Sequence, residues 1–197
     1  MHWMRWRADV IPVRSDAFFV PGNTMKGASK NFVGGVVARL VCCAALVLQG
    51  AFALGDSGAM AHYLANEGVM VVHGDTKVLF DPLFSNGYGR YQSLPENMKQ
   101  ALFAGEAPYE GVDAVFVSHS HQDHFSPIEL LKFLRLRRDV MLYAPAQAVD
   151  ELKTSASAAD DAIFNRVTGI QLEYGDEPIV FKTNGLIIEA VYIPHSG

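Results

Sequence analysis

From about residue 60 onward the chain alternates between short apolar runs and short polar turns, a pattern typical of a mixed α/β protein. Gly74-Asp75 and Asn184-Gly185 are hairpin signals, and each lies between two of the apolar runs. The continuous, β-branched run at 112–117 predicts a buried strand. The predicted strands are 63–66, 68–73, 77–80, 112–117, 140–144, 170–174, 179–182 and 186–193.

A helix start follows the strand at 112–117. Ser126 has the character of an N-cap, Pro127 that of a first helical residue, and Glu129 that of the third position in a capping box. Arginines close this helix, where cations complement the helix dipole. The predicted helices are 95–103, 127–137 and 145–153, and a loop of small residues is predicted at 154–161.

Four side chains able to bind a metal lie between that strand and that helix. His119 and His121 fall on the same side of an extended backbone, because side chains alternate with period two. Two imidazoles on one side can hold a single cation. Asp123 and His124 follow where the chain turns, so they are free to face a second position beside the first. The alternative is a polar turn whose histidines only form local hydrogen bonds.

The pattern H-x-H-x-D-H in this context resembles the metallo-β-lactamase-fold superfamily. The resemblance implies an α/β (α+β) fold, an αββα sandwich of two sheets between helices, with one or two metal ions at the edge where the sheets meet. It implies that His119 and His121 bind the first metal and that Asp123 and His124 bind the second.

Two further residues enter through the same resemblance. Asp81 ends a strand in the string H-G-D-T-K-V-L-F-D-P-L-F, where the superfamily has an aspartate that buttresses the ligand loop. The alternative is a simple turn aspartate before a proline. His195 follows the last apolar strand, and the resemblance implies that it is the third ligand of the first metal, with water in the fourth position. Three protein ligands and an open position are typical of a catalytic zinc site.

The later ligands of the superfamily have no counterpart here, because the sequence stops two residues after His195. These are a carboxylate that bridges the two metals and a final histidine on the second. We therefore expect a sandwich that is truncated after the first part of its second half, a fragment of a longer hydrolase. On this sequence, the second metal would have only Asp123 and His124.

These residues predict a metal-dependent hydrolase that uses a metal-activated water on an ester, lactone, lactam or phosphodiester-type bond. Asp123 is the predicted catalytic residue, orienting the hydroxide or accepting its proton. Zinc is the first choice for neutral imidazole ligands, and iron or manganese stays open. The alternatives are a non-catalytic metal-binding fragment or pseudo-enzyme of the same fold, and redox chemistry at a single iron.

The stretch 84–111 is rich in Gly, Pro, Tyr and Asn and lacks a sustained period. Loops of this length are often functional, and this one leaves the sheet just past Asp81. One interpretation is that it overhangs the metals and forms an apolar substrate wall; the other is a packed surface excursion. The wall would consist of Phe84, Tyr88, Tyr91 and Tyr109.

Charge limits the class of partner. Residues 54–197 contain ten Lys or Arg and nineteen Asp or Glu, a net charge of −9. Because phosphate backbones require clustered cations, this balance argues against a nucleic acid and leaves a small-molecule substrate. The sequence does not indicate an oligomeric state.

The N-terminal part predicts export. Residues 1–24 show no clear period and are interpreted as an upstream extension before a start at Met25. Residues 25–53 combine a positive lead, an apolar run and Ala51-Phe52-Ala53, which predicts a signal peptide. The alternative is a membrane anchor, although Arg39 interrupts the apolar stretch. After cleavage the protein would be periplasmic or secreted, without a stable membrane span. The domain resembling the superfamily then spans 60–197.

Overall fold

The computed structural model describes residues 2–10, 58–85, 88–183 and 186–194. Residues 1–12 and 58–197 belong to one compact unit, so the described N-terminal segment and the remaining described residues form one body. Two β-sheets and several helices make up this body, which confirms the predicted mixed α/β fold class.

The larger sheet has six strands. Its first three strands are antiparallel neighbours, and the next connections are parallel. Parallel strands end at the same edge of a sheet, so the loops that follow β4 and β5 emerge side by side. The strands, in their order across the sheet, are β2 (Met60–Ala65), β3 (Gly68–His73), β4 (Thr76–Phe80), β5 (Val112–Phe116), β6 (Met141–Pro145) and β7 (Val167–Ile170).

The smaller sheet contains three strands in the order β1-β9-β8, all antiparallel. β1 (His2–Val10) is a strand to which the sequence analysis assigned no element. It pairs with β9 (Leu186–Pro194), which also pairs with β8 (Ile179–Thr183). The Asn184-Gly185 turn lies outside the described residues.

Aromatic rings fill the space between the two sheets. Phe116 is 1% exposed, and its ring stacks on Phe80 at 5.3 Å and on Tyr143 at 4.9 Å between centroids. Phe181 of β8 meets the same ring edge-on at 6.1 Å. Val115, the neighbour of Phe116 along β5, belongs to a separate core under the helices. The period of two along β5 therefore sends alternate side chains to two different cores.

Helices cover the other face of the larger sheet. The helix α2 begins as predicted: Ser126 is its N-cap and accepts a hydrogen bond from the Glu129 amide at 3.4 Å, and Pro127 is the first helical residue. Its apolar side is buried against the sheet. The helices are α1 (Glu96–Ala104), α2 (Pro127–Leu136), α3 (Ala146–Ser155) and a 3₁₀ segment (Ala158–Arg166).

The arginines around the end of α2 do more than complement its dipole. Arg135 forms a two-point ion pair with Asp160, at 2.7 and 2.8 Å. Arg137 is 9% exposed and donates to the carbonyls of Leu102 and Tyr109. The dipole interpretation is therefore incomplete, because these two guanidinium groups hold neighbouring segments together.

Arg166 gives the end of α2 a second support. Its guanidinium donates to three main-chain carbonyls in the segment that leaves the helix. Leu134 lies in the last turn of α2, where a carbonyl has no partner within the helix, and Arg137 and Val140 lie beyond the helix end. The three acceptors are the carbonyls of Leu134, Arg137 and Val140.

Two of the predicted elements differ from the structure. The loop predicted at 154–161 is replaced in part by the 3₁₀ segment, because Ser157 and Asp160 form a reciprocal capping box. The strand predicted at 170–174 is wrong: the strand observed here is β7 (Val167–Ile170), which shares only Ile170 with it. Beyond it, Asp176 accepts from the Glu173 amide at 2.8 Å and closes a turn.

The segment predicted as a signal peptide, 25–53, lies outside the described residues, as do 11–24, so the N-terminal assignments stay predictions. Within the ranges that the structure covers, no helix has the length and apolarity required to cross a membrane.

Candidate metal centre

The candidate site lies where the loops after β4 and β5 meet. The Asp81 amide donates to the Phe116 carbonyl at 3.0 Å, which extends the pairing of the two strands by one residue. The chain then bends, and the His124 amide donates to the His121 carbonyl at 3.0 Å. The Ser126 amide donates to the loop after β4. The ligand segment is therefore held at both ends by main-chain hydrogen bonds.

Three of the predicted ligands converge. One nitrogen of His119, one oxygen of Asp123 and one nitrogen of His124 all lie within 4.8 Å of one another. His119 is 1% exposed and His124 6%, so the cluster is largely shielded from water. His121 lies beside it, with its ring centroid 4.6 Å from that of His119. The structure thus groups His119 with Asp123 and His124, whereas the sequence analysis grouped it with His121 and His195.

His195 lies outside the described residues, so its role as a ligand stays a prediction.

Asp81 connects to this cluster through both carboxylate oxygens. Oδ1 accepts from the Ser118 amide at 2.8 Å. Oδ2 accepts from the Ser118 hydroxyl at 2.5 Å and lies 2.9 Å from Nδ1 of His124. Asp81 thereby contacts a candidate ligand imidazole and also fixes the loop backbone. Both are contacts that the sequence analysis had assigned to a supporting residue.

The acidic surroundings change the protonation of His124. Burial alone would lower the pKa of its imidazole, but the hydrogen bond and charge of Asp81, with the charges of Asp123 and Glu67, outweigh burial. The pKa of His124 is therefore raised above its ordinary value in the metal-free protein. A site that stabilises a cationic imidazole also favours another cation in its place.

The donor set fits a divalent metal ion. Oδ1 of Asp123 is buried and has no hydrogen-bond partner within the described ranges. Nδ1 of His124 faces Asp81 and Nδ1 of His119 lies 3.1 Å from the Ser118 hydroxyl, so Nε2 is the ring nitrogen left for a ligand bond. Two imidazoles and one carboxylate are ligands that zinc and related ions accept.

Two residues that the sequence analysis did not single out support the cluster. Ser118 contacts Asp81, His119 and His124 through its hydroxyl. Asn66 donates from its side-chain amide to the Asp123 carbonyl at 2.8 Å. Asn66 comes from the turn between β2 and β3, so a sequence signal for this contact would require knowledge of the long-range fold.

Two of the four aromatic residues considered for a substrate wall lie beside the candidate site. Tyr88 and Tyr91 are exposed and line an open cavity of about 490 Å³ together with His121 and Asp123. Tyr109 is 2% exposed and lies in the core under the helices, so its assignment to the wall is wrong. Phe84 lines a different cavity, beside α1 and α2.

Comparison with known proteins agrees with this geometry. The family described as Beta-lactamase superfamily domain matches residues 76–197, which include β4, Asp81 and the whole ligand segment. The UPF0173 protein YddR of Bacillus subtilis (strain 168) is 33% identical over 73 residues, which cover 33% of this chain and 28% of that protein. The chain thus spans less than a third of that relative. The family model matches more than half of this chain, which shows that the chain belongs to the family described as Beta-lactamase superfamily domain.

Proposed function

We propose that this protein is a hydrolase that depends on a divalent metal ion and acts on a small molecule. Membership of the beta-lactamase superfamily supports hydrolysis in general. The observation that carries the proposal is the convergence of His119, Asp123 and His124 within 4.8 Å. The buried Oδ1 of Asp123, which lacks a partner in the described part of the chain, adds weight because a metal ligand bond would satisfy it.

His119, Asp123 and His124 would hold the ion, with His121 and His195 as the further predicted ligands. We take zinc as the first candidate, and iron and manganese remain alternatives because imidazole and carboxylate ligands accept all three. A divalent ion bound here supplies Lewis acidity and lowers the pKa of a water, with zinc from about 15.7 toward about 7.

The chain's own residues have separate tasks in this proposal. Asp81 accepts the Nδ1 proton of His124, which fixes the imidazole with its Nε2 lone pair toward the cluster. Asp123 is the catalytic residue of the proposal: one carboxylate oxygen would bind the ion, and the other would orient the attacking water or accept its proton. The open cavity at His121 and Asp123 admits the substrate, and its volume suits a small molecule.

The specific bond is a matter for experiment. Purified protein would be stripped with a chelator, reloaded with Zn²⁺, Mn²⁺ or Fe²⁺, and assayed with ester, lactone, lactam and phosphodiester substrates. We expect metal-dependent turnover in at least one class, and His124→Ala should lose both metal and activity. His73→Ala is the matched control, since His73 ends β3 outside the cluster.

Two results would count against the proposal. Failure of the wild-type protein to bind any divalent ion would exclude the metal site. Stoichiometric metal binding without turnover across all four classes would instead favour a non-catalytic metal-binding protein.

We also propose export to the periplasm or medium, on the sequence of residues 25–53 alone. Sequencing the N-terminus of the protein recovered outside the cytoplasm tests this. A terminus near residue 54 is expected, and the exported protein would then lack β1, which pairs with β9 in the full chain. An intact residue 25 in that material would contradict cleavage.

A further inference from the structure

Among the described residues that line the cavity beside the candidate metal centre, one has a positively charged side chain, Arg90. Arg90 lines this cavity together with Tyr88, Tyr91, His121 and Asp123. Arg90 is exposed, and its guanidinium forms no ion pair or hydrogen bond with another described residue. A charged group in such a position is available to a ligand that enters the cavity.

Most cations of this acidic domain have structural partners. Lys77 pairs with Glu110 at 3.2 Å and Lys99 with Glu129 at 2.5 Å. The guanidinium groups of Arg135, Arg137 and Arg166 are also engaged, by a carboxylate or by carbonyls. Arg90 therefore differs from them both in lacking a described partner and in lying beside candidate metal ligands.

Two tyrosines, Tyr88 and Tyr91, line the same cavity as Arg90. Tyr88 is 54% exposed and Tyr91 45% exposed. A planar guanidinium presents several N–H donors in a fixed fork, and this geometry matches carboxylate and phosphate groups. Phenol hydroxyls can donate to the same anion, and their rings can contact an apolar part of the ligand.

We propose that Arg90 is the specificity-determining residue of this site and selects substrates that carry an anionic group, a carboxylate or a phosphate, in addition to the bond to be cleaved. This inference rests on the proposed hydrolase function. The anionic group contacts Arg90 and the tyrosines, while the reacting bond faces His121 and Asp123. Arg90 also offsets the repulsion that the Asp123 carboxylate exerts on an anion.

The kinetic test compares two esters of the same chain length. Mono-4-nitrophenyl adipate carries a terminal carboxylate, and 4-nitrophenyl hexanoate does not. With metal-loaded protein we expect kcat/KM to favour the anionic ester by on the order of tenfold at low salt, since a charge-assisted hydrogen bond contributes about that factor. Arg90→Gln should abolish the preference for the anionic ester, and Arg90→Lys should retain part of it.

Arg138→Gln is the matched control. Arg138 is an exposed arginine that does not line this cavity, so its loss changes the net charge equally. The preference should persist in this variant. An equal loss in Arg90→Gln and Arg138→Gln would show a general charge effect and overturn the proposal.

A binding test separates this inference from the hydrolase proposal. Benzoate, phenyl phosphate and neutral benzamide would be titrated into chelator-treated protein and followed by NMR. We expect at least one anion to bind the wild-type protein more tightly than benzamide, and Arg90→Gln to weaken that binding by about tenfold. The anion that binds identifies carboxylate or phosphate as the recognised group.

The outcomes are distinct. Anion binding that depends on Arg90, without hydrolysis of any ester, would reject the proposed activity and keep the anion site. Hydrolysis with unchanged kcat/KM ratios in Arg90→Gln, or anion binding that this variant does not weaken, would reject the anion site and keep the hydrolase.

Discussion

Replacing Asp81 with Asn tests whether the carboxylate sets up His124 as a metal ligand. The side chain keeps its size, and asparagine tolerates the positive φ of 41° at this position. What changes is the acceptor capacity. The carboxylate accepts from the Ser118 amide and hydroxyl and from Nδ1 of His124, and it uses both oxygens to do so.

An amide has only one oxygen for these donors. If it stays with the Ser118 amide, the NH₂ group of Asn faces Nδ1 of His124, which then has to accept a hydrogen bond rather than donate one. The proton moves to Nε2, the nitrogen that the ion needs. Loss of one charge-assisted hydrogen bond costs about 1.5–3 kcal/mol, which corresponds to a metal affinity lower by about 10- to 100-fold. Outer contacts to ligand histidines have effects of about this size.

The measurement is the Zn²⁺ dissociation constant, obtained by competition with a chromophoric chelator at constant pH. Asp113→Asn is the matched control, because Asp113 also accepts a main-chain amide, that of Lys77, at 2.8 Å but lies outside the cluster. We expect its affinity to equal that of the wild type. An Asp81→Asn affinity within twofold of wild type, in a protein that binds zinc, would refute the reasoning about the tautomer.

Three further predictions concern stability and are measured by urea unfolding of the metal-free protein. Arg166→Ala removes the donor of three carbonyls near the end of α2 and should lower the free energy of unfolding by about 1–3 kcal/mol; an unchanged midpoint would contradict this. Phe116→Ala should cost about 3–5 kcal/mol, because its buried ring stacks between the sheets, whereas Ile128→Ala, 61% exposed, should cost much less. Burial raises the pKa of the Glu129 carboxyl, but its hydrogen bonds and charge interactions with Lys99 and Lys132 outweigh burial, so the pKa is lowered. The stability that the Glu129 carboxylate contributes is therefore present above about pH 4.3 and is lost as the pH falls through the folded pKa. Glu129→Gln should therefore flatten this acid loss, and the exposed control Glu177→Gln should not.

The sequence predicts well those elements whose signal is local. β3 has its predicted bounds because its apolar run ends at a two-residue turn, and α2 starts where its cap and proline place it. β1 shows the limit. Met4, Trp6, Ala8 and Val10 alternate with polar residues, but the rest of residues 1–24 has no such period. The partner of this strand is β9, more than 170 residues away along the chain. A short strand without a neighbouring hairpin gives no signal for such a pairing.

The candidate site divides in the same way. The segment with the candidate ligands was predictable because its four residues are close in sequence. The supporting role of Asp81 was predicted from the resemblance to the superfamily. Ser118, Asn66 and Arg90 were missed. Ser118 is adjacent to His119, but a serine beside a histidine gives no signal of its contact with Asp81. Asn66 and Arg90 lie in turns far along the chain, and only the fold brings them near the site. Tyr109 was misassigned because a tyrosine in a long loop gives no sequence signal of burial.

The grouping of the ligands depends on one bend in the backbone. His119 and His121 would lie on one side only of an extended chain, but β5 ends at Phe116 and the chain bends at residues 120 and 121. The His121 carbonyl then accepts from the amides of His124 and Phe125, which turns the chain back on itself. The side chains of Asp123 and His124, four and five residues after His119, thus come to lie beside it, while His121 lines the open cavity. A spacing motif can therefore identify candidate metal ligands while leaving open which of them lie together, because that depends on main-chain hydrogen bonds that the spacing does not encode.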